Sequence, residues 1–211
     1  MNKLGFGFVL KTVTTLSLAF LAAPSLQSQE LILNGLFRHT STDYGGVYSG
    51  TKTDLVFGLE LENPAYTAHD IISSDGAKRL SVRVLSTVTR DEMKVYWSHW
   101  LSNAYLRNAD TMNAQAWEIL ALLNSFPETI PEGTLISFQS NFGSDFSAYI
   151  DNSPNFYESD KDGFFNLWLR AWFLTPALGF DAGNAMMGPH QISPELEALW
   201  SLRSPGFALA Y

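Results

Sequence analysis

The chain has 211 residues, 46% of them hydrophobic and 14% aromatic, enough to bury one well-packed core without covalent or metal reinforcement. It contains no cysteine, which excludes thiolate catalysis, cysteine-ligated zinc or iron–sulfur sites, a lipid-modified N-terminal cysteine and structural disulfides. A formal net charge of −8 repels phosphate backbones and anionic lipid, so nucleic acid is not an expected partner.

The N-terminal residues read as a targeting segment. Lys3 and Lys11 give a basic start, Val13 to Ala23 is apolar, and Ala22-Ala23-Pro24-Ser25 supplies small and turn-forming residues. That order predicts a signal peptide over 1–28, since the apolar run is too short and too rich in threonine to span a bilayer. Losing the two lysines takes the net charge from −8 to −10. The expectation is a periplasmic or secreted protein with no stable membrane insertion after signal removal. The remainder divides into one domain over 29–188 and a tail over 189–211, apolar at its end (Phe207, Leu209, Tyr211).

In chain order, Glu30 to Leu33 predicts a short strand stopped by an Asn34-Gly35 turn, with Leu36 to Arg38 resuming the chain. Tyr44 to Tyr48 and Thr53 to Leu61 are rich in β-branched and aromatic residues and predict strands. Pro64 to Ile72 predicts a short helix, and Arg79 to Leu85 alternates as a half-buried strand. Thr89 and Glu92 form a capping-box pattern opening a helix to about Arg107, with Met93, Trp97, Trp100, Leu101 and Ala104 on one face. A second helix, Asn113 to Phe126, is expected to place Trp117, Leu120 and Leu123 together inside. Thr134 to Gln139 and Phe146 to Ile150 predict a hairpin. Helices follow over Asp160 to Leu174, Asp181 to Met187 and Pro194 to Leu202. Strands early and midway, without regular βαβ alternation, predict an α+β fold: an antiparallel sheet covered by helices on one face.

The order of motifs resembles the chalcone isomerase-like proteins, in their bacterial, secreted branch. Asn34-Gly35-Leu36-Phe37-Arg38 is similar to the opening hairpin, Gly58 to Asn63 to the following strand, and Pro131-Glu132-Gly133-Thr134 to a Pro-x-Gly turn. Phe164 to Leu169 and Met186-Met187-Gly188 are similar to the closing helices. The resemblance implies an open-faced β-sandwich-like fold with a ligand cleft between sheet and helices. In the family, plant members cyclise chalcones, while relatives bind fatty acids. It also implies that Arg38 holds an anion at the cleft, because a guanidinium offers forked donors and keeps its charge.

The rest of the family's catalytic set is replaced. The position of its strand threonine matches Leu55, that of its cleft tyrosine matches Met93, and that of a helix asparagine matches Trp100; Asn166 falls near a polar cleft position. Leucine, methionine and tryptophan do not stabilise a developing oxyanion, but together with Trp97 they suit an apolar slot. The expected function is therefore non-catalytic binding of a small amphiphilic or aromatic anion, fatty-acid-like, with no cofactor. The alternatives are an isomerase (intramolecular lyase) of the chalcone isomerase type, with Tyr44 or Tyr48 supplying a hydroxyl, and a scaffold whose cleft is filled by its own side chains. His39, His69, His99 and His190 are too dispersed for a metal site, and His39 should point to the face opposite Arg38.

Overall fold

Period-two alternation is realised as neighbouring strands of one sheet. The structure, a computed structural model, describes residues 31–41, 53–105, 115–140, 145–151, 153–160, 163–173, 184–187 and 192–202. Strands β1 (Ile32–Ser41), β2 (Thr53–Leu61), β3 (Lys78–Val84), β6 (Leu135–Ser140), β7 (Phe146–Ile150) and β8 (Tyr157–Ser159) form a six-stranded sheet in the order β1-β2-β3-β6-β7-β8. Every pairing is antiparallel, and β1 and β8 are its edges. Between β3 and β6 the chain makes α2 (Arg90–Tyr105) and α3 (Ala116–Ser125), bracketed by a small two-stranded sheet of β4 (Val88–Thr89) and β5 (Thr129–Ile130). The remaining helices are α1 (Ala68–Ser73), α4 (Phe164–Phe173) and α5 (Pro194–Trp200).

Helix starts follow local chemistry. The capping box forms as its residues require: the Glu92 carboxylate accepts from Thr89 N at 2.7 Å, and Thr89 Oγ1 accepts from Glu92 N. Thr67 Oγ1 caps α1 by accepting from Asp70 N, so α1 begins later than the expected Pro64.

Asn34-Gly35 does not turn the chain. β1 runs straight through it, with a bulge between Leu33 and Gly35. Asn34 is buried because its side chain is a clamp: Nδ2 donates to Ala65 O at 3.0 Å and Met186 O at 2.9 Å, while Oδ1 accepts from Ala65 N. Gly35 is required by close approach, since a Cβ there would lie 2.3 Å from Ala185 O. These two residues fasten segment 184–187 to the edge strand.

The sheet has two unlike faces. Leu55, Phe57, Leu59, Leu80, Val82, Val84, Ile136 and Phe138 form the inner face, packed against Met93, Trp97, Phe165, Trp168 and Leu169 of α2 and α4. The reverse face carries Arg38, Asp54, Glu60, Arg79, Ser81, Arg83 and Ser137, as the register requires. Helix α5 lies on that reverse face: the Trp200 ring covers Gly58, and Arg83 donates to Trp200 O at 3.1 Å. Helices therefore touch both faces of the sheet.

Helix α3 departs from expectation. Leu122 and Leu123 face the core, while Trp117 is 80% exposed and Leu120 47%. At about 100° per residue, Trp117 and Leu123 lie about 120° apart around the helix, so the buried stripe centred on Leu122 and Leu123 leaves Trp117 at the solvent. The expected strand over Tyr44–Tyr48 lies outside the described residues, as do residues 181–183 of the helix expected over Asp181–Met187, whose residues 184–186 are helical, and residues 189–191 and 203–211 of the tail.

Candidate functional site

The sheet separates the residues that the sequence grouped together. Arg38 points from the reverse face and is held by Asp54, with Nε to Oδ1 at 2.9 Å and Nη2 to Oδ2 at 2.6 Å. The hydrogen bond to Asp54 raises the already high Arg38 pKa, against a small cost of burial. Arg79 makes the same forked pair with Glu60. Arg83 donates to Gly133 O, and the Ser81 and Ser137 hydroxyls pair at 2.9 Å. This face satisfies its own charges and polar groups, as buried polar surface must.

Leu55, Met93 and Trp97 are on the inner face, all fully buried. Trp97 stacks on Trp168 with ring centroids 5.0 Å apart at 20°, and meets Phe57 and Phe138 edge-on. Its indole surface is used by the core, which stabilises the layer by about 0.5–1.5 kcal/mol per aromatic pair beyond burial. Trp100 lies in α2, but its side chain falls outside the described residues. Asn166 is half-buried on α4, and its Oδ1 is buried without a hydrogen-bond partner among the described residues.

The polar group at the boundary of this layer is His39. Strand alternation turns it inward, where Nδ1 and the Tyr96 hydroxyl are 2.8 Å apart. Tyr96 is fully buried on α2, one turn beyond Met93, and His39 is half-buried at the sheet edge. Burial pushes the His39 pKa down, with Asp54 partly opposing. His39 is therefore neutral near pH 7, and the imidazole–phenol pair can take or give one proton in a hydrogen bond. Tyr44 and Tyr48, the expected sources of a hydroxyl, lie outside the described residues, and the tyrosine hydroxyl at this layer is that of Tyr96. Its spacing from Met93 is the signal that could have found it, because i and i+3 share a helix face.

A second inward polar group, and a cation, is Lys78. It is 1% exposed, with Nζ donating to Ile72 O at 3.2 Å near the end of α1. Desolvation lowers its pKa, and Asp75 partly opposes this. The placement suits a cation closing a helix C-terminus. Among the described residues, no group of three or more His, Cys, Asp or Glu side chains is arranged to hold a metal, and no helix is long and apolar enough to cross a membrane.

The fold so assembled is α+β, an open six-stranded antiparallel sheet of the chalcone isomerase-like kind. It is similar to the crystal structure of a fatty-acid binding protein of Arabidopsis thaliana, with a TM-score of 0.53 and 11% identity over 74% of this chain and 86% of that one. At that identity the likeness establishes a shared fold. No family model and no curated protein matches the chain.

Proposed function

We propose that the protein is a non-catalytic binder of a small amphiphilic anion, fatty-acid-like or aromatic, exported to the periplasm as in the secreted branch of the chalcone isomerase-like proteins. The observation that carries this reading is the His39–Tyr96 pair, a hydrogen-bonding group at the edge of a largely apolar sheet–helix layer. A carboxylate or phenolate head is held there by the imidazole and hydroxyl, with its apolar body against the inner face. The shared fold supports it, since the Arabidopsis protein is described as binding fatty acids. Arg38 has no part in this head group, because Asp54 occupies its fork on the other face.

A second reading is favoured by one observation: Leu55, Met93 and Trp97 are fully buried against neighbours of the chain itself. On that reading the slot is filled from within and the protein is a scaffold. Titrating the full chain with a dansyl-labelled fatty acid, and native mass spectrometry of the purified protein, separates the two. Saturable binding of one equivalent, weakened about fivefold by Tyr96→Phe as expected for one hydrogen bond, supports the binder. No uptake of fatty or aromatic acid by either method leaves the scaffold. Sequencing the N-terminus of protein recovered from the periplasmic fraction tests export: a start near residue 29 is expected.

A further inference from the structure

The outer side of α3 is apolar where water should favour polar residues. Trp117 is 80% exposed and Leu120 47%, and Ala116 and Ala121 beside them are also exposed. Leaving large apolar side chains in water forgoes about 1.5–3 kcal/mol each, and a contiguous ridge of them marks a contact surface. The ridge points away from the His39–Tyr96 layer, so the ligand proposed above does not account for it.

Along the flank of this ridge, between α3 and strands β7 and β8, opens a cleft of about 600 Å³. Glu118, Asp145, Glu158 and Asp160 line it, and among the described residues no lysine or arginine does. Glu118 is fixed in place, its Oε2 accepting from Tyr157 Oη at 2.5 Å and Ser159 Oγ at 2.8 Å. Trp117 and Glu118 are consecutive, so the exposed indole and the acidic cleft are adjoining parts of one surface.

We propose that this surface docks a basic, amphipathic segment of a partner protein. Apolar side chains of the segment cover Trp117 and Leu120, and its lysines or arginines enter the acidic cleft. Charge complementarity selects that occupant. A second copy of this chain would bring two sets of carboxylates together in a protein whose net charge is already −8, and an anionic membrane would meet the same repulsion. A cation beside the indole gains further from its π face.

The test uses the full chain and two synthetic helical peptides, one of leucine and lysine and one of leucine and glutamate, each with a fluorescent label. The Leu/Lys peptide is expected to bind and the Leu/Glu peptide not to, with affinity falling as salt rises. Trp117→Ala and the pair Glu158→Gln/Asp160→Asn should each weaken binding about tenfold. These side chains are exposed, so the variants should melt as the parent does, and Tyr96→Phe should leave peptide binding unchanged. Equal binding of both peptides, or no effect of Trp117→Ala, overturns the proposal. So does a parent dimer that Trp117→Ala converts to monomer in sedimentation, because a second copy would then cover the ridge.

Discussion

Arg38 and His39 are consecutive in β1, yet they leave the sheet on opposite faces: Arg38 to Asp54 at 2.6 Å, His39 to the Tyr96 hydroxyl at 2.8 Å. One residue of register moves a charge from the reverse face to the edge of the inner layer. Arg38→Ala should therefore leave affinity for a fatty-acid probe within about twofold. Because the Arg38 side chain is 47% exposed, solvent screens its pair, and its loss should cost no more than about 1 kcal/mol by urea denaturation. A large loss of probe affinity in Arg38→Ala with unchanged stability would return the head-group role to the arginine.

His39 gives the protein an acid-side dependence. Its folded pKa is lowered by burial, so below the ordinary histidine range the unfolded chain binds a proton that the folded chain resists. Stability is full above about pH 6.5 and falls as the pH drops from there toward the folded value. Denaturation midpoints of the parent and His39→Gln, taken from pH 7.5 to 5, should converge as the pH falls. Anion binding should change the other way: protonated His39 attracts a carboxylate, so probe affinity should rise toward pH 5 in the parent and stay level in His39→Gln. Parallel curves for both proteins would remove His39 from the site.

The sheet was legible because alternation at Arg79–Leu85 and Phe146–Ile150, and the β-branched and aromatic content of Thr53–Leu61, are local properties that survive folding. β4, β5 and β8 were not, since two or three residues carry no period. The site was legible only in part. That His39 opposes Arg38 follows from alternation alone. Which of the two faces the helices depends on the pairing of β1 with β2, and no local pattern encodes it. Asn34-Gly35 misled for the same reason. As a dipeptide it favours a turn, but the bonds of Asn34 reach residues 31 and 152 positions away, and these decide its conformation.

Asn34→Ala should be costly for so small a side chain. It leaves Ala65 N, Ala65 O and Met186 O without their partners in a buried place, and each such group costs about 1–3 kcal/mol where water cannot replace the bond. The expected loss is about 3 kcal/mol, read from urea denaturation, with faster amide exchange in 184–187 than in the core of β3. Asn34→Asp keeps the acceptor but removes the donor, and should not rescue. A loss below about 1 kcal/mol would show that the clamp is not what fastens 184–187 to β1.

Gly58 holds room for α5. A Cβ at this position would lie 2.5 Å from Cη2 of Trp200, closer than packed atoms allow. Gly58→Ala should push the ring off the sheet and red-shift its fluorescence, at a cost of about 1–3 kcal/mol. Combining it with Trp200→Leu should recover much of that loss, since the smaller side chain yields the space. If the double variant is merely the sum of the singles, the two residues do not share the contact.

Lys78 is a charge the core would be more stable without. Its ammonium is 1% exposed and meets Ile72 O at 3.2 Å, which returns little of the several kcal/mol lost on leaving water. Burial lowers its folded pKa below the ordinary lysine value, so stability rises with pH through the window between the folded pKa and about 10.5, where only the unfolded chain still binds the proton. Lys78→Met keeps the length of the side chain and removes the charge. It should match or exceed the parent in stability at pH 7, by up to about 2 kcal/mol, and the advantage should shrink as pH approaches 10. A Lys78→Met protein several kcal/mol weaker at both pH values would mean that the bond closing α1 outweighs the desolvation of the ammonium.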